Sequence, residues 1–215
     1  MKTAIFDMDG TLIDTEKIYQ KYWNISAKDL GYDLTEKDML LFRSLGHSFA
    51  VKLAEELTGS AEAYDEIRNH RKEMMDPVMK EIELPVKPTA VEALTLLKEN
   101  GVRLGVATAT RLDRTEEYLD RAGLRGFFDE LISARSVAQG KPAPDVYLYA
   151  CSRMNVEPSE AFAIEDAPNG VKSADAAGCK VIMIPDITEP DEEDWKHIVK
   201  RADNLLEAAE YIIQA

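Results

Sequence analysis

Asp7 and Asp9 stand two positions apart at the end of a short apolar run, Ala4-Ile5-Phe6, and Gly10 and Thr11 follow them. A buried carboxylate is costly unless something pairs with it, so two at the end of a buried strand call for a partner. On an extended backbone, residues two apart point to the same side, and both acids can enter one pocket. Such a pair can divide the work of nucleophile and general acid-base catalyst. Three further segments carry polar groups of complementary chemistry: Thr108-Ala109-Thr110 and Glu165-Asp166, each closing an apolar run, and Lys141 with Pro142 behind it. Carboxylate oxygens suit Mg2+, while a lysine ammonium and threonine hydroxyls suit phosphate oxygens. A helix cap or a solvated loop end accounts for one such cluster more readily than for four.

These groups meet only if the chain brings four distant segments together. Lys2 to Asp7 reads as a buried strand. From Thr15 the pattern becomes helical, with Ile18, Tyr19, Tyr22, Trp23, Ile25 and Leu30 close to i, i+3/4, i+7 spacing and Gly31 closing the run. Thr35 opens a second helix, and residues 48–59 and 62–80 read as two more; no strand candidate occurs between residues 15 and 80. After the proline-rich 83–88, helices at 90–100, 113–122, 144–154 and 168–177 alternate with strands at 102–108, 130–133, 161–166 and 179–184, and a terminal helix starts near Asn204. Alternation of this kind predicts an α/β fold, a Rossmann-like doubly wound parallel sheet. The expected core spans 1–14 and 85–215, with an all-α domain inserted at 15–84. In open sheets of this class ligands bind beyond the carboxyl ends of the strands, where the polar clusters fall. Pro168, Asn169 and Gly170 open a helix whose N-terminus would face them.

The 215 residues are 45% hydrophobic and 31% charged, as in an ordinary globular chain, and the formal net charge is −14. That balance argues against nucleic acid or an anionic membrane as partner. Cys151 and Cys179 match no metal-ligand spacing. No stretch approaches ~18 apolar residues, and Asp7 interrupts the only apolar run near the N-terminus. A monomer in a reducing cytoplasm is the expectation.

The stretches FDMDGT, GVATAT, KPAPD and IEDAPNG, in that order, resemble the four motifs of the haloacid dehalogenase-like superfamily of phosphatases, and the helical insertion resembles that superfamily's cap. Within the superfamily the chain is most similar to sugar-phosphate phosphatases and β-phosphoglucomutase. The resemblance implies Asp7 as nucleophile and Asp9 as general acid, then base. Gly10, Thr108, Ala109 and Lys141 would bind phosphate, and Asp7, Asp9 (through its carbonyl), Glu165 and Asp166 would hold Mg2+. It also implies a cis Lys141–Pro142 bond. Candidate substrate contacts are Thr15, Arg43, Gly46, His47, Thr110, Arg111 and Asn169.

Departures matter. Ala167 stands where the subfamily usually has Ser, and Thr89 where Gly is common. Tyr19 replaces the mutase's cap histidine. Phe49 replaces an arginine that would hold a second phosphate in the mutase. The expectation is therefore a Mg2+-dependent phosphatase for a small phosphorylated metabolite, with a sugar or polyol phosphate as substrate. The alternatives are a β-phosphoglucomutase-like phosphotransferase and a non-catalytic phosphometabolite-binding protein.

Overall fold

The computed structural model describes all 215 residues. Strand β1 (Thr3–Phe6) is followed by four helices, α1 (Glu16–Asp29), α2 (Glu36–Leu40), α3 (His47–Thr58) and α4 (Ala63–Glu81). The chain then returns through α5 (Ala90–Glu99) to β2 (Arg103–Thr108). It continues as α6 (Leu112–Arg121), β3 (Glu130–Ser133), α7 (Asp145–Arg153), β4 (Ala161–Glu165) and α8 (Pro168–Ala176). Strands β5 (Lys180–Met183) and β6 (Lys200–Arg201) and helix α9 (Leu205–Gln214) complete it. The six strands form one sheet in the order β3-β2-β1-β4-β5-β6, and every neighbouring pair is parallel. The fold is the expected α/β Rossmann-like one. The two-residue edge strand β6 is too short to leave a periodic signal and is absent from the sequence reading.

Alternation along the central strands sorts side chains into two layers. Ala4, Phe6, Leu104, Val106, Phe162 and Ile164 pack with the apolar faces of α5, α6 and α9. Ile5, Ala107, Ala161, Ala163 and Val181 pack on the other side with α7 and α8. Carried two residues past Ile5 and Ala163, the same alternation aims Asp7 and Glu165 toward α7 and α8. The register holds them side by side, because Phe6 pairs with Ile164 and the Asp7 amide donates to the Ile164 carbonyl at 2.9 Å.

The helices between β1 and α5 carry a small core of their own, in which Ala27, Met39, Phe42, Ala50, Ala54, Ala63, Tyr64 and Ile67 are buried. Trp23, Phe42 and Tyr64 stack on one another with ring centroids 5.7–6.3 Å apart, so Trp23 belongs to packing. Farther along α4, Met75 and Met79 leave this cluster and join the sheet's core. Thr35 and Asp38 form a reciprocal capping box that starts α2. On the return crossing Thr89 adopts φ +65°, the left-handed region that a β-branched residue enters only with strain. No helix is long and apolar enough to cross a membrane.

Candidate active site

Lys141, in the segment before α7, reaches the carboxyl ends of β1, β2 and β4 and has 0% exposure. Its ammonium donates to Asp7 Oδ1 at 2.5 Å, Glu165 Oε1 at 2.6 Å and the Ala107 carbonyl at 3.1 Å. The peptide bond to Pro142 is cis. Burial opposes the ammonium's charge, but the carboxylates of Asp7 and Glu165 outweigh it and its pKa lies above the ordinary lysine value. Tyr147, in the first turn of α7, donates its hydroxyl to the same Glu165 oxygen. Burial, against the attraction of Lys141, pushes Glu165 up to about 7. Its second oxygen, Oε2, is buried with no hydrogen-bond partner.

Carboxylate oxygens of Asp7, Glu165 and Asp166 lie within 4.8 Å of one another, all three residues buried. Three hard oxygen donors, one of them on a side chain with an unpaired oxygen, fit a Mg2+ ion. Two glycines make the cluster possible. Gly10 has φ +87°, and a Cβ there would lie 2.2 Å from Asp166 Oδ2. A Cβ on Gly170 would lie 2.0 Å from Glu165 Oε2, so the first turn of α8 can pack against that carboxyl only without a side chain.

Asp166 is also engaged from the helical side. Arg43, in the turn after α2, donates to Asp166 and, at 3.2 Å, to Glu16 Oε2; a third N–H meets Thr188 Oγ1 at 3.0 Å. Thr11 donates to Asp166 Oδ1 at 3.3 Å. Burial raises the pKa of Asp166 well above the carboxylate range in spite of Arg43, with Asp7 adding to the rise. Burial likewise takes Glu16 to about 7, opposed by Arg43.

Asp9 is held by two hydroxyls, Thr15 Oγ1 at 2.6 Å and Thr110 Oγ1 at 2.8 Å. Ser133 fixes Thr110 in turn by donating to its carbonyl at 2.7 Å. Burial raises the Asp9 pKa; the Thr15 hydrogen bond opposes this and the nearby Asp7 reinforces it. A group of that kind can carry a proton and release it.

Asp7 and Asp9 open on one cavity of about 500 Å3, bounded by Thr108, Ala109, Thr110 and Arg111 on the sheet side and by Gly46 and His47 on the helical side. Lys141, Glu165 and Asp166 lie beneath its floor rather than in its wall. The structure thus brings together Asp7, Asp9, Gly10, Lys141, Glu165 and Asp166, with Thr108 and Ala109 at the rim. Several expected substrate contacts are placed differently. Thr15 is fully buried and serves Asp9. Asn169 donates to the carbonyls of Leu41 and Arg43, at 3.1 and 2.8 Å, and so ties the helical turn to α8. Arg43 borders the cavity, but its guanidinium is committed to Glu16, Asp166 and Thr188. His47 pairs with Asp65 at 2.9 Å, and Arg111 with Asp113. The Gly46 amide donates to the Lys141 carbonyl at 2.6 Å, and the backbones of Gly46 and Gly140 approach so closely that a Cβ on either would sit 2.9 Å from the other's backbone. Sequence reasoning missed Glu16, Tyr147 and Thr188. Glu16 had a signal, an acid directly after Thr15 in the first helical turn; Tyr147 reads as one more apolar-face residue.

A parallel α/β sheet with paired acids beyond one strand and a lysine–carboxylate cluster beyond its neighbours defines a phosphoryl-transfer class of enzyme. The model of the haloacid dehalogenase-like hydrolase family matches residues 4–184, and the chain belongs to that family. It is similar to the phosphorylated carbohydrates phosphatase of Thermotoga maritima, at 31% identity over 85% of this chain and 84% of that one. It is also similar to hexitol phosphatase B of Escherichia coli, at 32% identity over 85% and 82% of the two chains. Among solved structures, CbbY of Rhodobacter sphaeroides in complex with xylulose-(1,5)bisphosphate superposes with a TM-score of 0.76 at 27% identity, over 96% of each chain. The chain is an enzyme, a phosphoric monoester hydrolase.

Proposed function

We propose that the chain is a Mg2+-dependent phosphatase that hydrolyses a small sugar or polyol phosphate through an aspartyl-phosphate on Asp7, with residues 15–84 acting as a cap over a core of 1–14 and 85–215. The observation that carries this is the pairing of two differently prepared carboxylates on one cavity. Asp7 is fixed by an ammonium through Oδ1, while Asp9 is buried, raised in pKa and held by two hydroxyls. The names of the carbohydrate and hexitol phosphatases support the substrate class.

In the first half-reaction the Asp7 carboxylate attacks phosphorus, the P–O bond to the alcohol breaks, and Asp9 gives its proton to the departing oxygen. In the second, Asp9 takes a proton from water as that water attacks phosphorus. The P–O bond to Asp7 breaks and phosphate leaves. Lys141 holds Asp7 in place and offsets charge between nucleophile and phosphoryl oxygens. Asp7, Glu165 and Asp166 would hold Mg2+, which when bound supplies positive charge against the carboxylates and the phosphoryl group. Helices above the cavity exclude bulk water.

The test is phosphate release from a panel of sugar and polyol phosphates with and without Mg2+, beside Asp7→Asn. Release that depends on Mg2+ and disappears in the variant supports the reading. Turnover retained by Asp7→Asn would rule out Asp7 as nucleophile, and isomerisation of glucose 1-phosphate faster than phosphate release would turn the assignment to a mutase.

A further inference from the structure

Glu165 is hydrogen-bonded through one oxygen only. Its Oε1 accepts from the Lys141 ammonium at 2.6 Å and from the Tyr147 hydroxyl, while its Oε2, also buried, has no donor. A carboxylate buried merely to be neutralised would share its donors between both oxygens, because a bare buried oxygen is costly. Here both donors converge on one. The other is left free, on a residue whose carboxylate already belongs to the cluster with Asp7 and Asp166.

Tyr147 has no other use for its hydroxyl, whose one hydrogen bond runs to Glu165. The side chain is fully buried, in the apolar layer that includes Ile5, Ala163 and Val171. The Lys141 ammonium lies 5.4 Å from the centroid of the tyrosine ring, so the same ring also confines the second donor. Helix α8 closes in as well, since a Cβ on Gly170 would meet Oε2 at 2.0 Å and Oε1 at 2.4 Å. Glu165 is therefore held in one rotation about its terminal bond, with Oε1 occupied and Oε2 open.

The kind of ion that such a carboxylate suits follows from ligand chemistry. Mg2+ demands a tight octahedron, whereas Ca2+ accepts more oxygens at longer range and readily takes both oxygens of one carboxylate. Two donors on Oε1 close off that second mode. Lys141 alone would hold Oε1 less firmly, because its ammonium is shared with Asp7 and the Ala107 carbonyl.

We infer that Tyr147 is a positioning residue that, by holding Oε1 of Glu165, makes this carboxylate a single-oxygen metal ligand and gives the site a preference for Mg2+ over Ca2+. This deepens the phosphatase reading and rests on its metal site. It assigns ion selectivity to a side chain outside the ligand set.

Calorimetric titration of EDTA-treated protein with MgCl2 and with CaCl2 tests the inference without substrate. Tyr147→Phe keeps the ring and removes only the hydroxyl. Its Mg2+ affinity should fall by about tenfold or more, as when a hydrogen bond to a metal ligand is lost, while its Ca2+ affinity falls by less than about threefold or rises. A purely structural role would weaken both ions alike. Glu165→Asp withdraws the carboxylate from the hydroxyl and should narrow the ratio of Mg2+ to Ca2+ affinity in the same direction, which keeps the test open if Tyr147→Phe does not fold. Added to Glu165→Asp, Tyr147→Phe should change Mg2+ affinity by less than about twofold, because both substitutions remove the same contact. Absence of all ester hydrolysis sinks the phosphatase reading, while the contrast between the two ions alone decides the role of Tyr147. Wild-type protein that binds Mg2+ no more tightly than Ca2+ overturns the inference. So do equal losses for both ions in Tyr147→Phe, or a loss that persists undiminished beside Glu165→Asp.

Discussion

Arg43 donates to Asp166 across the junction between the helical block and the carboxyl end of β4, and the same guanidinium binds Glu16 and Thr188. One cation from the helical side thus neutralises a carboxylate that belongs to the proposed metal site. Two charged groups buried together are stable mainly because each would be worse off alone.

Removing Arg43 therefore has a defined cost. Arg43→Met leaves Asp166 and Glu16 buried without their cation, and breaking a buried pair in this way costs about 3–5 kcal/mol. Urea unfolding at neutral pH should show that loss. Because Mg2+ would supply positive charge beside Asp166, it should raise the thermal midpoint of the variant more than that of the wild type. An equal Mg2+ shift in both proteins would separate Arg43 from the metal site.

The hydroxyls on Asp9 make a second prediction. Thr15 at 2.6 Å lowers the Asp9 pKa against the rise from burial. Thr15→Val removes that donor, so the pKa rises further, and the limb of the pH–rate profile that reports Asp9 should move to higher pH. A fall in kcat of about tenfold should accompany it, a fraction of the roughly 100- to 10,000-fold that a positioned acid-base group contributes. Asp9→Asn should abolish the limb altogether. A limb that stays in place in Thr15→Val would assign it to another group.

The sheet, its strand ends and the four polar clusters were legible in the sequence because each rests on local rules: apolar runs, helical periodicity, and acids where a strand stops. The contacts that bind those clusters together were not. Arg43 and Asp166 are 123 residues apart, and nothing in the periodicity around Arg43 distinguishes a buried guanidinium from a solvated one. Thr15 and Asn169 were legible as polar residues near the site, but their hydrogen bonds run to Asp9 and to the carbonyls of Leu41 and Arg43 instead of into the cavity. Arg68, Arg71 and Lys72 sit in a long charged stretch that reads as an exposed helix face. Only the stacking of Arg71 on Trp23 and Tyr19, a tertiary relationship, shows that this face is turned inward.

Gly170 offers a test that leaves every catalytic side chain in place. A methyl group there would meet the Glu165 carboxyl at 2.0–2.4 Å. Gly170→Ala gains helix propensity on α8, on the order of 1 kcal/mol, but the clash must move Glu165 or the helix. The expected outcome is lower stability despite the better helix former, together with weaker Mg2+ binding by calorimetry. A more stable variant with unchanged Mg2+ affinity would show that Glu165 has room to shift and does not need its observed position.

Glu16 sets a pH dependence whose sign can be worked out. Burial takes its pKa from 4.5 to about 7 in the folded protein, with Asp9 and Asp7 adding to the rise and Arg43 opposing it. The folded state then holds a proton that the unfolded state releases near pH 4.5, so stability falls as pH rises from the unfolded value through about 7. Each pH unit of that gap corresponds to about 1.4 kcal/mol, which makes the full contribution on the order of 3 kcal/mol. Glu16→Gln cannot ionise, and without metal its stability should decline less than that of the wild type across this interval. Urea midpoints measured in EDTA at several pH values check the prediction, and parallel curves for the two proteins would show that Glu16 keeps an ordinary pKa beside Arg43.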